Sequence, residues 1–312
     1  MRLVVAGTRL HFGLFAADGK FGGCGLILQQ PGVTVRLELC RDGWSESGPL
    51  GERATRFLRL AKVEGLLDIW PWPWRGWRVH ADGPPEHVGL GVGTALGLAV
   101  ARAAFMGHVI PPSLDEQAAR VGRGKRSGVG LHGFRVGGFL VDAGKPTADA
   151  LPELAGRCDF PTDWRIVLVR PRVPDRWSGS REQMAFDRPR AAAPSRLAAL
   201  ATDVLLPAAR ASDFGTFAPA LGEYNRLAGE PFAADQGGAY AGPQVTHVVE
   251  TLRGWGWAGV GQSSWGPTVF AVCPDEPAAA ALAARCRTHF PDLDDVVVTA
   301  AKNDGPTTLF LK

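Results

Sequence analysis

Between Gly122 and Phe134 the chain reads GRGKRSGVGLHGF, a run that sets Arg123, Lys125 and Arg126 among glycines. Like charges this close repel unless solvent or an anion screens them. Glycine, lacking a Cβ, lets backbone approach a bound group closely. The pattern suits an anion site, and a solvated basic loop has the same composition. A second stretch, PEHVGLGVGTALGLAVA from Pro85 to Ala101, places Gly89, Gly91 and Gly93 where a helix begins. Successive backbone N–H groups and a helix dipole of roughly half a positive charge would receive a phosphate or diphosphate there. No Lys-Ser or Lys-Thr follows the last glycine, and Gly97 arrives one residue late for a dinucleotide fingerprint, so both familiar nucleotide loops are excluded. Glycines that only permit tight helix-on-sheet packing would read the same way.

A third glycine-rich stretch, GVGQSSWGPTVFAV from Gly259 to Val272, offers Gln262, Ser263, Ser264 and Thr268 as donors and acceptors and Trp265 as a flat face. A ligand with polar and aromatic parts would suit it, and so would a polar turn with a packed tryptophan. His11, at the end of a strand, is placed either to orient a phosphate and move a proton or to serve as a hydrogen-bonded structural residue. The run WPWPWRGW, Trp70–Trp77, has alternate prolines that favour an extended surface segment whose rings cover the adjoining sheet.

The elements that must position these residues alternate along the chain. Val4–Phe12, Cys24–Gln29 and Thr34–Cys40 read as strands, with QQPG as the turn between the second and third. GERATRFLRLAKVE, Gly51–Glu64, sets Ala54, Phe57, Leu58 and Ala61 on one helical stripe with arginines opposite. WRVHA gives another strand, and the Pro85 stretch turns from it into a strongly apolar helix. After the loop DAGKPTADALPELAGRCDFPTD a later half opens with a strand at Trp164–Arg170, followed by a charged, proline-containing region from Ser178 to Pro194. Two helices (SRLAALATDVLLPAARASD and FAPALGEYNRLAG), strands at Ala258–Val260 and Thr268–Val272, a helix over Glu276–Phe290 and a strand at Asp295–Thr299 complete two α+β domains.

Composition excludes the less ordinary classes. With 312 residues, 46% hydrophobic and 21% charged, the chain reads as a globular protein rather than a fibrous or disordered one. A net charge of +3 spread along it makes no electrostatic case for nucleic acid or a membrane surface. Five cysteines without a CxxC pair fit reduced packing thiols rather than disulfides or a zinc site. The N-terminal MRLVVAGTRLHFGLF lacks a signal-peptide core, and no long apolar run suggests a spanning helix, so the expectation is a soluble, cytoplasmic protein.

Taken in order, RLHFGLF (Arg9–Phe15), the Gly89–Thr94 loop, GRGKRSGVGLHGF, GGFLVDAG (Gly137–Gly144), QGGAY (Gln236–Tyr240) and GQSSWGPT (Gly261–Thr268) resemble the β-ribofuranosylaminobenzene 5′-phosphate synthase family of the GHMP kinase superfamily. The resemblance implies an α+β, two-domain GHMP kinase-like fold. Residues 1–155 would form a ribosomal-protein-like N-terminal domain with the phosphate loop, and residues 156–312 a ferredoxin-like α/β sandwich. It implies condensation of phosphoribosyl pyrophosphate with 4-aminobenzoate or 4-hydroxybenzoate, releasing carbon dioxide and pyrophosphate, toward tetrahydromethanopterin and without ATP. A Mg²⁺ ion and a homodimer are implied as well. On this reading Gly89, Gly91, Gly93, Thr94 and Ser127 bind substrate together with Gln262, Ser263, Ser264 and Trp265. Arg123, Lys125, Arg126 and His11 do the chemistry, and Asp142 either ligates the metal or ends a strand. Ser127-Gly128-Val129-Gly130 stands where kinases of the superfamily carry a Ser-Gly-Ile-Asp type segment, so the usual base for phosphoryl transfer is missing. Val92, Ala95 and His132 depart from the family pattern, where a serine, a glutamine and a small apolar residue are usual. A paralogue with a related donor, an ATP-dependent small-molecule kinase and a non-catalytic binding protein therefore stay open beside the synthase.

Overall fold

Strand β1, Arg2–Ala17, buries Val4, Ala6, Thr8 and Leu10 in alternation, the period-two pattern of a sheet with one face on the core, and then buries both His11 and Phe12. It pairs antiparallel along its whole length with β2, Lys20–Cys40. Where two strands and a QQPG turn are expected, β2 runs straight through. The register jumps from Gly7↔Gly32 to Arg9↔Ile27, so the intervening residues of β2 bulge opposite Thr8. The amides of Gln29 and Gln30 donate outward to Ala300 O and Thr299 Oγ1, and Thr8 Oγ1 donates to Pro31 O at 2.5 Å. A proline is tolerated at such a bulge because no ladder donor is needed from it. The computed structural model describes residues 1–17, 20–61, 76–124, 127–147, 150–174 and 194–311. Lys125, Arg126, Trp70–Arg75 and most of the Ser178–Pro194 region lie outside them.

The first sheet adds β3 (Ser45–Ser47), β4 (Gly76–Asp82), β5 (Phe139–Gly144), β6 (Glu153–Cys158) and β11 (Thr307–Phe310), in the order β11-β1-β2-β4-β3 with β5 joining β2 to β6. The second is antiparallel, β10-β7-β9-β8, from β7 (Arg165–Pro171), β8 (Val260–Gln262), β9 (Val269–Cys273) and β10 (Leu293–Thr299). The segment read as a loop before Trp164 contains β6, which straddles residue 155, and β11 returns the end of the chain to the first sheet. Phe12 of β1 lies 4.9 Å from Phe270 of β9 and 6.2 Å from Phe139 of β5, ring centre to ring centre. The two sheets thus share one aromatic core, and a loop at their junction is held from both sides.

Helix Val92–Phe105 is the central prop. Its residues are buried almost all round, against β1, β2, helix Gly51–Leu60 and helix Leu114–Arg120. At its C-terminal end Arg2 Nη1 donates to Ala104 O at 2.6 Å and Ala103 O at 3.2 Å, satisfying carbonyls the helix leaves open. Helix Gly51–Leu60 buries Ala54, Phe57 and Leu58, as its stripe predicts. Helix Gly242–Gly254, which the periodicity did not reveal, covers the second sheet beside helix Glu276–His289. All five cysteines are buried and unbridged, and burial pushes the thiols of Cys158 and Cys286 up to about 11 and that of Cys273 to about 12. Among the described residues no helix is long and apolar enough to cross a membrane.

Candidate anion-binding site

The loop entering helix Val92–Phe105 is built on two left-handed glycines, Gly89 (φ 84°) and Gly91 (φ 64°), a conformation that L side chains rarely adopt. Gly91 is the helix N-cap and provides no side-chain cap, so the first-turn N–H groups of Val92 and Gly93 have no intrahelical acceptor. The loop is pinned on both flanks. Arg9 N–H donates to Leu90 O at 3.0 Å, Thr268 Oγ1 to Val88 O at 2.5 Å and Ser263 Oγ to Gly89 O at 2.8 Å.

Three arginines, from β1, helix Gly51–Leu60 and the loop after helix Leu114–Arg120, converge on this helix start. A Cβ built on Gly91 would lie 2.6 Å from Arg9 Cγ, and one on Gly93 would lie 2.9 Å from Arg53 Nη2 and 3.5 Å from Arg123 Nη2. A Cβ on Gly130 would meet Thr94 Cγ2 at 3.1 Å and Arg9 Cδ and Nε at 3.5 Å. The glycines therefore clear space for guanidinium stems, not only for a ligand. Arg53 pairs with Glu86, just upstream of the loop. Arg53 Cζ and Arg123 Cζ stand 5.6 and 4.8 Å from the Phe57 ring centre, a shared cation–π platform. Of the three arginines only Arg123 is singled out by the sequence. Arg53, expected with the other arginines opposite the stripe, precedes Phe57 by one helical turn and lies over its ring; that spacing is the one sequence signal that could have set it apart.

His11, Ser127 and Asp142 form a buried chain next to the loop. Gly13 N–H donates to His11 Nδ1 at 3.3 Å, which places the ring proton on Nε2, 3.0 Å from Ser127 Oγ. Ser127 Oγ donates to Asp142 Oδ2 at 3.0 Å and accepts from Val129 N–H at 3.2 Å. Asp142 also accepts from Gly128 N–H at 2.7 Å and Gly144 N–H at 2.8 Å and has no exposed surface. Desolvation raises its carboxyl pKa, against the opposing pull of these hydrogen bonds. Asp142 lies within β5, two residues before the strand's end. The carboxylate ties β5 to the Ser127 turn, and its fully buried oxygens, each already accepting from the protein, do not fit a magnesium ligand. Among the described residues no three His, Cys, Asp or Glu side chains are grouped to hold a metal ion.

His11 is likewise engaged at both nitrogens, and Ser127 is committed to it and to Asp142. Burial first, and then the charge of Arg9, holds the His11 pKa well below its ordinary 6.5. A histidine kept neutral in the fold and free to protonate when unfolded makes stability present above pH 6.5 and lost as pH falls below it. We expect unfolding free energy to decline on going from pH 7 to pH 5, with a slope of up to about 1.4 kcal/mol per pH unit from this residue. Chemical denaturation of the wild type and His11→Gln across that range should show the pH dependence reduced in the variant. Parallel curves would assign it elsewhere.

The GQSSWGPT stretch is turned to the same structural purpose. Gln262 Oε1 accepts from Ala241 N–H at 2.6 Å, its Nε2 donates to Ser264 O at 2.7 Å, and its backbone N–H donates to Asn225 Oδ1 at 2.8 Å. Ser263 Oγ accepts from His11 N–H at 3.0 Å while donating to Gly89 O, and Ser264 N–H donates to His11 O at 3.0 Å. Trp265 packs edge-on to Phe232 at 4.8 Å. Ser263 and Ser264 clamp the glycine loop and β1 together, and Gln262 braces their turn, an arrangement that their polar character alone could not distinguish from ligand contact.

A family model, GHMP kinases C terminal, matches residues 205–292. Over 96% of its length the chain is 30% identical to a β-ribofuranosylphenol 5′-phosphate synthase of Methanothermobacter thermautotrophicus, covering 95% of that protein. The chain belongs to the β-ribofuranosylphenol 5′-phosphate synthase family. A second member, from Archaeoglobus fulgidus, is 27% identical over 96% of each chain. Solved structures place this family member in the GHMP kinase fold, as its motif order implies. A homoserine kinase from Cytophaga hutchinsonii superposes with a TM-score of 0.68 over 99% of this chain and 97% of that one, at 15% identity. A mevalonate diphosphate decarboxylase from Staphylococcus aureus gives 0.63 over 99% of each chain at 13% identity. At such identities the likeness concerns the fold alone. The family assignment makes the chain an enzyme, a transferase of the phosphoribosyl-transfer type, with α+β architecture.

Proposed function

We propose that the enzyme joins the ribose of phosphoribosyl pyrophosphate to 4-hydroxybenzoate or 4-aminobenzoate, releasing carbon dioxide and pyrophosphate, as an early step toward tetrahydromethanopterin. The observation that carries this reading is the family match along 96% of the chain. The relative's name, a ribofuranosylphenol 5′-phosphate, describes the product of such a step with the hydroxylated acceptor. The geometry is compatible with it. When the bond from the anomeric carbon to diphosphate breaks, negative charge develops on the leaving group, and arginines beside an uncapped helix start stabilise it. The ring carbon bearing the carboxylate then forms the carbon–carbon bond. Loss of carbon dioxide returns the bonding pair to the ring and restores aromaticity.

No proton leaves that ring carbon, so the step needs no general base there. This agrees with a His11 whose ring nitrogens are both occupied and with a Gly130 that faces Thr94 and Arg9. Transfer of a phosphoryl group to an alcohol would need a group to take the hydroxyl proton. Magnesium enters this reading with the donor, as the counter-ion of its diphosphate, and not through Asp142. A homodimer and a cytoplasmic location belong to the proposal as the family resemblance implies them.

The kinase alternative is separated by ligand stabilisation. A ligand that binds only the folded state stabilises by about 2.7 kcal/mol at a hundredfold excess over Kd, so the tighter ligand gives the larger rise in melting temperature. Phosphoribosyl pyrophosphate with Mg²⁺ should raise it more than ATP with Mg²⁺ at equal concentration. The reverse order, with phosphorylation of a small alcohol, would overturn the synthase reading.

A further inference from the structure

Cations normally sit at the C-terminal end of a helix, where Arg2 stands in helix Val92–Phe105. Yet Arg9, Arg53 and Arg123 crowd the opposite end, against both the dipole and one another. The arrangement is held in place deliberately by its surroundings. Glu86 pairs with Arg53, the Phe57 ring lies under both Arg53 and Arg123, and Gly91 and Gly130 leave room along the Arg9 stem. A pre-arranged set of forked donors beside a positive helix end suits an anion with several acceptor oxygens. Its two flanks are separate, with Arg9 at Gly91 and Gly130, and Arg53 and Arg123 at Gly93.

We propose that Arg9 and Arg53 are diphosphate-binding residues acting with Arg123, one phosphoryl group on each flank of the helix start, and that Phe57 is the positioning residue for the Gly93 flank. This rests on the reading of the enzyme as a user of a diphosphate-bearing donor, and it goes beyond that reading in assigning recognition to guanidinium groups from β1 and helix Gly51–Leu60 rather than to the loop backbone alone. No covalent step is attributed to these residues. Their task is to receive the leaving group and hold it.

Calorimetric titration with inorganic pyrophosphate and with orthophosphate tests the assignment without requiring turnover. The wild type should bind pyrophosphate at least tenfold more tightly than orthophosphate. Arg9→Met and Arg53→Met should each weaken pyrophosphate binding by about 10- to 150-fold, the loss of one charge-assisted contact. Arg9→Lys and Arg53→Lys should recover only part of it, because the planar fork is gone. Phe57→Leu should give a smaller loss, and Phe57→Tyr, which keeps the ring face, should restore wild-type affinity where a merely space-filling role would not distinguish the two. Thermal melts identify any variant that does not fold, and the lysine variants then decide. Unchanged pyrophosphate affinity in folded Arg9 and Arg53 variants, or no pyrophosphate binding by the wild type, would overturn the proposal. Turnover measured separately with the benzoates distinguishes this from the functional reading. Arginine-dependent pyrophosphate binding without turnover would sink the synthase reaction and leave the diphosphate site standing.

Discussion

Gly91→Val is expected to lose most of the enzyme's donor affinity and part of its stability, and for two separable reasons. The residue has φ 64°, where a β-branched side chain carries a strain of about 1–3 kcal/mol. A Cβ there would also come within 2.6 Å of Arg9 Cγ, so Arg9 must leave its place. Strain acts on folding and should lower the melting temperature by a few degrees. Displacement of Arg9 acts on binding and should weaken pyrophosphate by at least tenfold in protein that is still folded. The two effects part company in a double-mutant cycle. In an Arg9→Met background Gly91→Val should still cost stability but add little further loss of affinity. Full additivity in binding would mean that the loop backbone, and not Arg9, is what the valine disturbs.

The second large effect is on folding. Asp142→Asn replaces a carboxylate that accepts from Gly128 N–H, Gly144 N–H and Ser127 Oγ with an amide that has one acceptor oxygen and turns two hydrogens toward the same donors. Each buried donor left without a partner costs about 1–3 kcal/mol, so a loss of about 3 kcal/mol in unfolding free energy is expected. The Ser127 turn and the His11 ring it holds would loosen together. Denaturant unfolding measures this, and a variant as stable as the wild type would show that the buried chain does not hold the turn. The pH sign is opposite to that of His11. A carboxyl whose folded pKa is raised by desolvation contributes stability present at low pH and lost as pH rises through the folded value. His11→Gln and Asp142→Asn should therefore alter the pH profile in opposite senses.

What could be read from the residues follows from how local each signal is. The glycine loop is legible because Gly89, Gly91 and Gly93 and the apolar helix after them are adjacent in sequence, and strand β7 announces itself through the β-branched run of Ile166, Val167 and Val169. Arg9 and Arg53 escape notice as site residues because what makes them special is proximity across elements: one is on β1, the other on helix Gly51–Leu60, and they meet only at helix Val92–Phe105. Gln262, Ser263 and Ser264 are recognised as polar and glycine-flanked, but their partners, Asn225, Gly89, Ala241 and His11, lie far away in sequence, so clamp and ligand contact look alike. The QQPG segment suggests a turn because proline and glycine usually make one. Only the partner strand shows that it is a bulge, with Thr299 and Ala300 taking the donors. β11 is missed since all four of its residues are exposed and no alternation marks it.

The most direct measurement is product stoichiometry from purified protein supplied with Mg²⁺, phosphoribosyl pyrophosphate and 4-hydroxybenzoate or 4-aminobenzoate labelled in the carboxyl carbon. Labelled carbon dioxide and pyrophosphate should appear in equal amounts, only when the phosphoribosyl donor is present and with no requirement for ATP, alongside a ribosylated phenol or aniline 5′-phosphate. A product phosphorylated at the expense of ATP, or pyrophosphate released without carbon dioxide, would contradict the reaction assigned to this enzyme.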